Sequence, residues 1–158
     1  MTELMTELPA SLDDKTSAGL RKTRSELLQA HHLPGYFYTS PEILELEIER
    51  IFMKEWLCVG RVEEFENAGD YNAVRVVGEP ILICRDENGD LNAFSNVCRH
   101  RGVEVATGEG NAKRFICPYH GWAYDLEGQL RGAPHTNEIE GFDIANICLP
   151  RVNIDTWG

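Results

Sequence analysis

A chain of 158 residues that is 42% hydrophobic and 26% charged has the make-up of one ordinary globular domain with an appendage, and enough apolar mass for a core. Fifteen basic against twenty-six acidic residues leave a formal charge of −11, which opposes the counterion release behind nucleic-acid binding and excludes that class of partner. No apolar run approaches the ~20 residues that cross a bilayer, and MTELMTELPASLDDKTS lacks the basic and apolar stretches of a secretory signal, so a cytoplasmic protein with no membrane partner is expected.

From the N-terminus, residues 1 to about 18 are polar and without periodicity, as in a loosely attached tail. Leu20, Leu27 and Leu28 fall at helical spacing and predict a short helix within 18–30, ending before HHLPGY. Residues 1–35 are thus expected to be a flexible segment with one short helix. Ser40 can then cap a helix whose first turn begins with Pro41, where the missing N–H costs nothing. SPEILELEIERIFMKEW makes 36–57 a helical lead into the domain. Its face of Leu44, Ile48, Ile51, Phe52 and Trp56 is expected to pack on a sheet.

From residue 58 to 158 the pattern changes to short β-type runs, LCVGR, YNAVRVV, PILICR and LNAFSNV, separated by turn-rich stretches. DENGD predicts one hairpin connection, and DLEGQ after WAYD predicts another. A mostly antiparallel β domain follows, since the spacing is too short for the strand–helix alternation of a parallel sheet.

Two loops interrupt this β pattern: Cys98-Arg99-His100-Arg101-Gly102 and Cys117-Pro118-Tyr119-His120-Gly121-Trp122, with sixteen residues between His100 and Cys117. Each offers one thiolate and one imidazole, the supply needed by a 2Fe-2S cluster in which two histidines replace two cysteines on one iron. Two ferric ions, two sulfides and two thiolates sum to zero charge, whereas four thiolates would leave −2, so the mixed set accepts an electron more readily. Cys2His2 is also a zinc set, but zinc sites pair C-x2-4-C with H-x3-5-H, whereas here C-x-H alternates with C-x-x-H. Gly102 and Gly121 let the backbone approach a cluster closely, or serve as plain turn residues. Tyr119 and Trp122 either influence electron transfer or pack over the site and shield it from water.

CRHRG, CPYHGWAYD and their separation resemble the Rieske domain of ring-hydroxylating and related Rieske non-haem iron oxygenases, and GYFYTSPEILELEIERIFMKEWLCVGR resembles the segment preceding it in their large subunits. The resemblance covers roughly residues 35 to 158. It implies a Rieske-type antiparallel β-sandwich with a two-loop cluster-binding subdomain, preceded by N-terminal helices. It implies that Cys98 and Cys117 bind one iron and His100 and His120 the other through Nδ1, with His120 the electron exit. It further implies a reductase or ferredoxin as donor, and as acceptor a mononuclear Fe(II) in the catalytic domain of a neighbouring subunit.

The respiratory branch of the family carries an extra cysteine in each loop, where this chain has Val103 and Tyr119, and a serine where it has Trp122. Without those devices the potential is expected near the low end of the roughly −150 to +300 mV Rieske range. No two-histidine, one-carboxylate iron site is visible. His31, His32 and His135 are expected in surface or structural roles, and the chain, ending at LPRVNIDTWG, is expected to be the N-terminal part of a large subunit. A freestanding Rieske ferredoxin is the alternative, although such a carrier has little use for the 57 residues before the β domain. Cys58, Cys84 and Cys148 sit in apolar contexts and are expected to be buried structural thiols, while Arg99 and Arg101 either steer an acidic partner or are solvated.

Overall fold

The computed structural model describes residues 13–136 and 138–158, so most of the expected polar tail lies outside the described residues. The chain separates into two compact units, Met1–Trp56 and Leu57–Gly158.

In the first unit, helix α1 spans Asp14–Thr23 because Asp13 caps it, its carboxylate accepting the Thr16 N–H at 2.6 Å. Arg21 and Lys22 in the last turn suit the negative end of the helix dipole. The helix therefore lies earlier than the leucine spacing indicated. Leu27 and Leu28 fall beyond its end at 89% and 99% exposure, with nothing to bury them, so the local polar cap decides the boundary. Helix α2, Pro41–Glu47, begins as expected, with Ser40 Oγ accepting the Ile43 N–H at 3.4 Å. It does not run on to Trp56. After Glu47 it widens into a π-turn, Ile48–Phe52, in which the Met53 N–H bonds Ile48 O at 3.0 Å. The wider winding turns later side chains away from the expected face. Ile43 is the buried residue, while Leu44 and Ile51 are half exposed and Trp56 is largely exposed.

In the second unit LCVGR is irregular rather than a strand, and leads into a 3-10 turn, Val62–Phe65, that buries Phe65. β1 (Asp70–Val76), β2 (Glu79–Arg85), β3 (Leu91–Ser95), β4 (Glu109–Asn111) and β8 (Arg151–Val152) form an antiparallel sheet in the order β4-β1-β2-β3-β8. β5 (Phe115–Ile116), β6 (Ala123–Tyr124) and β7 (Leu130–Gly132) form a second antiparallel sheet in chain order. Both expected hairpins are present and share one device. Asp86 accepts the N–H groups of Asn88 and Asp90, and Asp125 those of Glu127 and Gln129, so an aspartate folds each turn around its own carboxylate.

Alternation along β2 sends Leu82 and Cys84 to one face, where they join Phe94 and, from the second sheet, Phe115, Tyr124 and Leu130. Ile83 turns to the other face with Phe65 and Ala93. The shared core fixes the second sheet, and hence the loop between β5 and β6, against the first. Among the described residues no helix is long and apolar enough to cross a membrane.

Candidate metal centre

The two expected ligand loops close by the same hydrogen bonds. In the first, the Cys98 N–H donates to Val103 O at 2.8 Å and the Gly102 N–H to Cys98 O at 3.0 Å. In the second, the Cys117 N–H donates to Trp122 O at 2.8 Å and the Gly121 N–H to Cys117 O at 3.0 Å. Gly102 and Gly121 have φ of +72° and +71°, a left-handed turn that favours glycine and that each closure needs. C-x-H-x-G and C-x-x-H-G are thus one backbone design with the histidine moved by one residue. The first loop follows β3 and is gated by a bridge between Val97 and Glu104; the second joins β5 to β6.

These loops sort the side chains by depth. Cys98 and Cys117 are buried in the core, His100 is exposed and His120 half-buried, and the two imidazole rings lie 4.5 Å apart at 66°. Tyr119, mostly exposed rather than covering the site, sets its ring 3.8 Å from that of His120. Trp122 is buried and stacks on His100 at 4.8 Å with the planes 8° apart.

His120 Nδ1 is buried and has no hydrogen-bond partner. Burial, followed by the charges of His100 and Arg101, holds the His120 pKa below the usual histidine value, which favours the neutral ring that can ligate a metal. An orphaned buried nitrogen costs about 1–3 kcal/mol unless something binds it. The donor set, two thiolates inside and two imidazoles outside with a vacant ring nitrogen between loops, fits a 2Fe-2S cluster.

Residues 55–143 match the Rieske 2Fe-2S domain family. The chain belongs to that family. It is 41% identical over 125 residues to the carnitine monooxygenase oxygenase subunit of Acinetobacter baumannii, a match covering 78% of this chain and 34% of the relative. To the glycine betaine monooxygenase oxygenase subunit of Chromohalobacter salexigens it is 40% identical over 153 residues, covering 94% and 34%. Naphthalene 1,2-dioxygenase from Rhodococcus sp. superposes with a TM-score of 0.81 at 30% identity, covering 90% of this chain and 33% of that one. The chain spans about a third of the length of the curated relatives it matches.

Two residues of this Rieske domain that motif reading passed over complete the site. Tyr124, fully buried two residues beyond Trp122, places its hydroxyl 3.4 Å from Cys98 Sγ and accepts the Arg99 N–H at 3.1 Å. The signal available was position: Trp122 and Tyr124 are i and i+2 on an extended segment and share a face. Asn96, 1% exposed, donates to Ala106 O and accepts from the N–H groups of Val105 and Ala106, tying together the two stems of the first loop.

The remaining cysteines divide. Cys84 is the buried structural thiol expected, directed at Leu126 O, and burial reinforced by the charges of Asp86 and Asp125 pushes its pKa up to about 12. Cys58 and Cys148 are exposed, which corrects the expectation from their apolar neighbours: WLCVG is not a strand, and in NICLP it is Leu149 that fills the core. His31 and His32 lie in the first unit, and His135 is exposed after β7.

Proposed function

We propose that this Rieske domain takes up one electron at a time through a 2Fe-2S cluster held by Cys98, His100, Cys117 and His120, and passes it to a mononuclear Fe(II) in the catalytic domain of a neighbouring oxygenase subunit. The observation that carries the reading is the buried, unpartnered Nδ1 of His120 in a loop that closes like its Cys98–Gly102 counterpart. Cys98 and Cys117 hold one iron, and His100 and His120 hold the other through Nδ1. When bound, the cluster supplies one-electron chemistry at neutral pH.

The protein groups set the route. The cysteines lie inside and the histidines at the surface, so the electron enters and leaves on the imidazole side, with His120 as the exit. Arg99 and Arg101 flank His100 in sequence and Lys113 and Arg114 precede the second loop; all four are exposed, and none forms an ion pair among the described residues, although the chain carries −11 overall. This local positive surface favours an acidic reductase or ferredoxin as donor. All five cysteines are free, in keeping with a reducing cytoplasm. The oxygenase reading is preferred over a freestanding ferredoxin because the relatives are oxygenase subunits.

The test is anaerobic reconstitution of the chain with iron and sulfide, followed by dithionite reduction and electron paramagnetic resonance. Two irons and two sulfides per chain with a Rieske signal are expected, with Cys98→Ser and His120→Ala each abolishing it. A chain that takes up zinc in preference and gives no signal overturns the proposal. A potential well above zero contradicts the oxygenase assignment, since Val103 and Tyr119 leave no loop disulfide.

A further inference from the structure

We propose that Trp122 is a positioning residue for His100, a plate that fixes the plane of this imidazole; the inference rests on the cluster reading above. Among the described residues no hydrogen bond holds the His100 ring, and χ2 of a histidine has a broad torsional well, so backbone closure alone leaves its plane free. What meets the ring is aromatic: the edge of His120 at 4.5 Å and the face of Trp122 at 4.8 Å, stacked within 8°. A stacked pair at that separation lies within the favoured range and contributes beyond burial alone.

The plate is itself held from two sides. Its indole is 6% exposed and meets the edge of Phe142 at 5.8 Å and 62°, while its carbonyl accepts the Cys117 N–H that closes the second loop. Trp122 therefore belongs to the second loop by its backbone and to the first loop's exposed ligand by its side chain. It couples the orientation of His100 to the fold of the loop carrying Cys117 and His120, and keeps water from one face of His100.

The consequence has a sign. With two thiolates, two sulfides and two ferric ions the oxidised cluster is neutral and the reduced one carries −1, so water admitted beside His100 favours the reduced form and raises the potential. Trp122→Phe and Trp122→Leu both shrink the side chain, the second more, and only the first keeps a flat ring. For the reconstituted chain, Trp122→Phe is expected to retain the wild-type signal and potential. Trp122→Leu is expected to broaden the signal, alter the histidine nitrogen couplings in pulsed spectra, and shift the reduction equilibrium about threefold toward the reduced state, or about 28 mV at ~59 mV per tenfold.

Equal behaviour of the two variants overturns the proposal: both shifted would show that side-chain size rather than the ring counts, and both unchanged that neither does. If neither variant takes up iron, Phe142→Leu decides: it leaves Trp122 in place and removes its edge contact, and unchanged nitrogen couplings would overturn the proposal while altered ones support it. Loss of the cluster reading itself is distinguishable, because wild-type chain would then give no Rieske signal.

Discussion

The phenol oxygen of Tyr124 accepts the Arg99 N–H at 3.1 Å and lies 3.4 Å from Cys98 Sγ, so that with Cys98 as a ligating thiolate the phenol is the donor to the sulfur. Burial, then the bond to Cys98, raises the tyrosine pKa, so the phenol stays protonated and able to donate. A hydrogen bond to a ligating thiolate strengthens when the cluster gains an electron and therefore raises the potential. Tyr124→Phe is expected to lower it by roughly 40 mV, taking about 1 kcal/mol for the bond and ~59 mV per tenfold in a one-electron couple. A redox titration followed by circular dichroism measures the shift, and an unchanged potential would show that the proton points elsewhere.

The ligand loops were legible because both signals that define them are local: residue type at fixed spacing, and glycine where the closing turn has positive φ. Strands β1 to β3 were legible for the same reason, since their alternation and their aspartate turns are short-range. Tyr124 and Asn96 were not, because each acts on residues that meet it only in the folded domain, Tyr124 across 26 positions and Asn96 across 10. The face of α2 was misjudged at the π-turn after Glu47, which depends on packing rather than on the period of its leucines and isoleucines. Cys58 and Cys148 show the complementary limit: apolar neighbours in sequence do not bury a thiol when the chain there is irregular.

Asn96 is expected to be needed for the first loop to form. Replacing it with Ala leaves two part-buried backbone groups, the O and N–H of Ala106, without their partner, while the Val105 N–H keeps its bond to the main-chain carbonyl of residue 96. At about 1–3 kcal/mol for each unsatisfied group, a loss on the order of 3 kcal/mol follows. Asn96→Asp keeps the acceptor and sets a carboxylate against Ala106 O, so it is expected to fall between the two. Urea unfolding gives the ranking, and iron content per chain after reconstitution is expected to follow it.

Cys84 makes stability fall at alkaline pH. Its thiol is raised from 9.0 to about 12 in the folded chain, so the folded pKa exceeds the unfolded one. The stabilisation is complete below pH 9, where both states hold the proton, and is lost from there toward pH 12, where only the unfolded chain releases it. The slope is at most ~1.4 kcal/mol per pH unit. Urea midpoints measured from neutral pH to about pH 10 are expected to drop more in the wild-type chain than in Cys84→Ala. In the native protein a thiol reagent is expected to label Cys58 and Cys148 and spare Cys84.

Arg99 and Arg101 flank His100 in sequence, and Lys113 and Arg114 precede the second loop, four exposed cations on the ligand-loop segments of an otherwise acidic chain. If this side receives an acidic donor, exchanging Arg99 and Arg101 for Ser lowers the rate of encounter without touching the cluster. Second-order reduction by the donor protein is then expected to slow about tenfold at low ionic strength, and to lose most of its salt dependence, because steering by rim charges is screened within ~8–10 Å at physiological salt. The reduced-state spectrum is expected to stay as in wild type, which separates docking from ligation, while the potential falls because the charge of Arg101 acts on His120. Stopped-flow reduction at a series of salt concentrations checks it, and a wild-type rate indifferent to salt would place donor docking on another face.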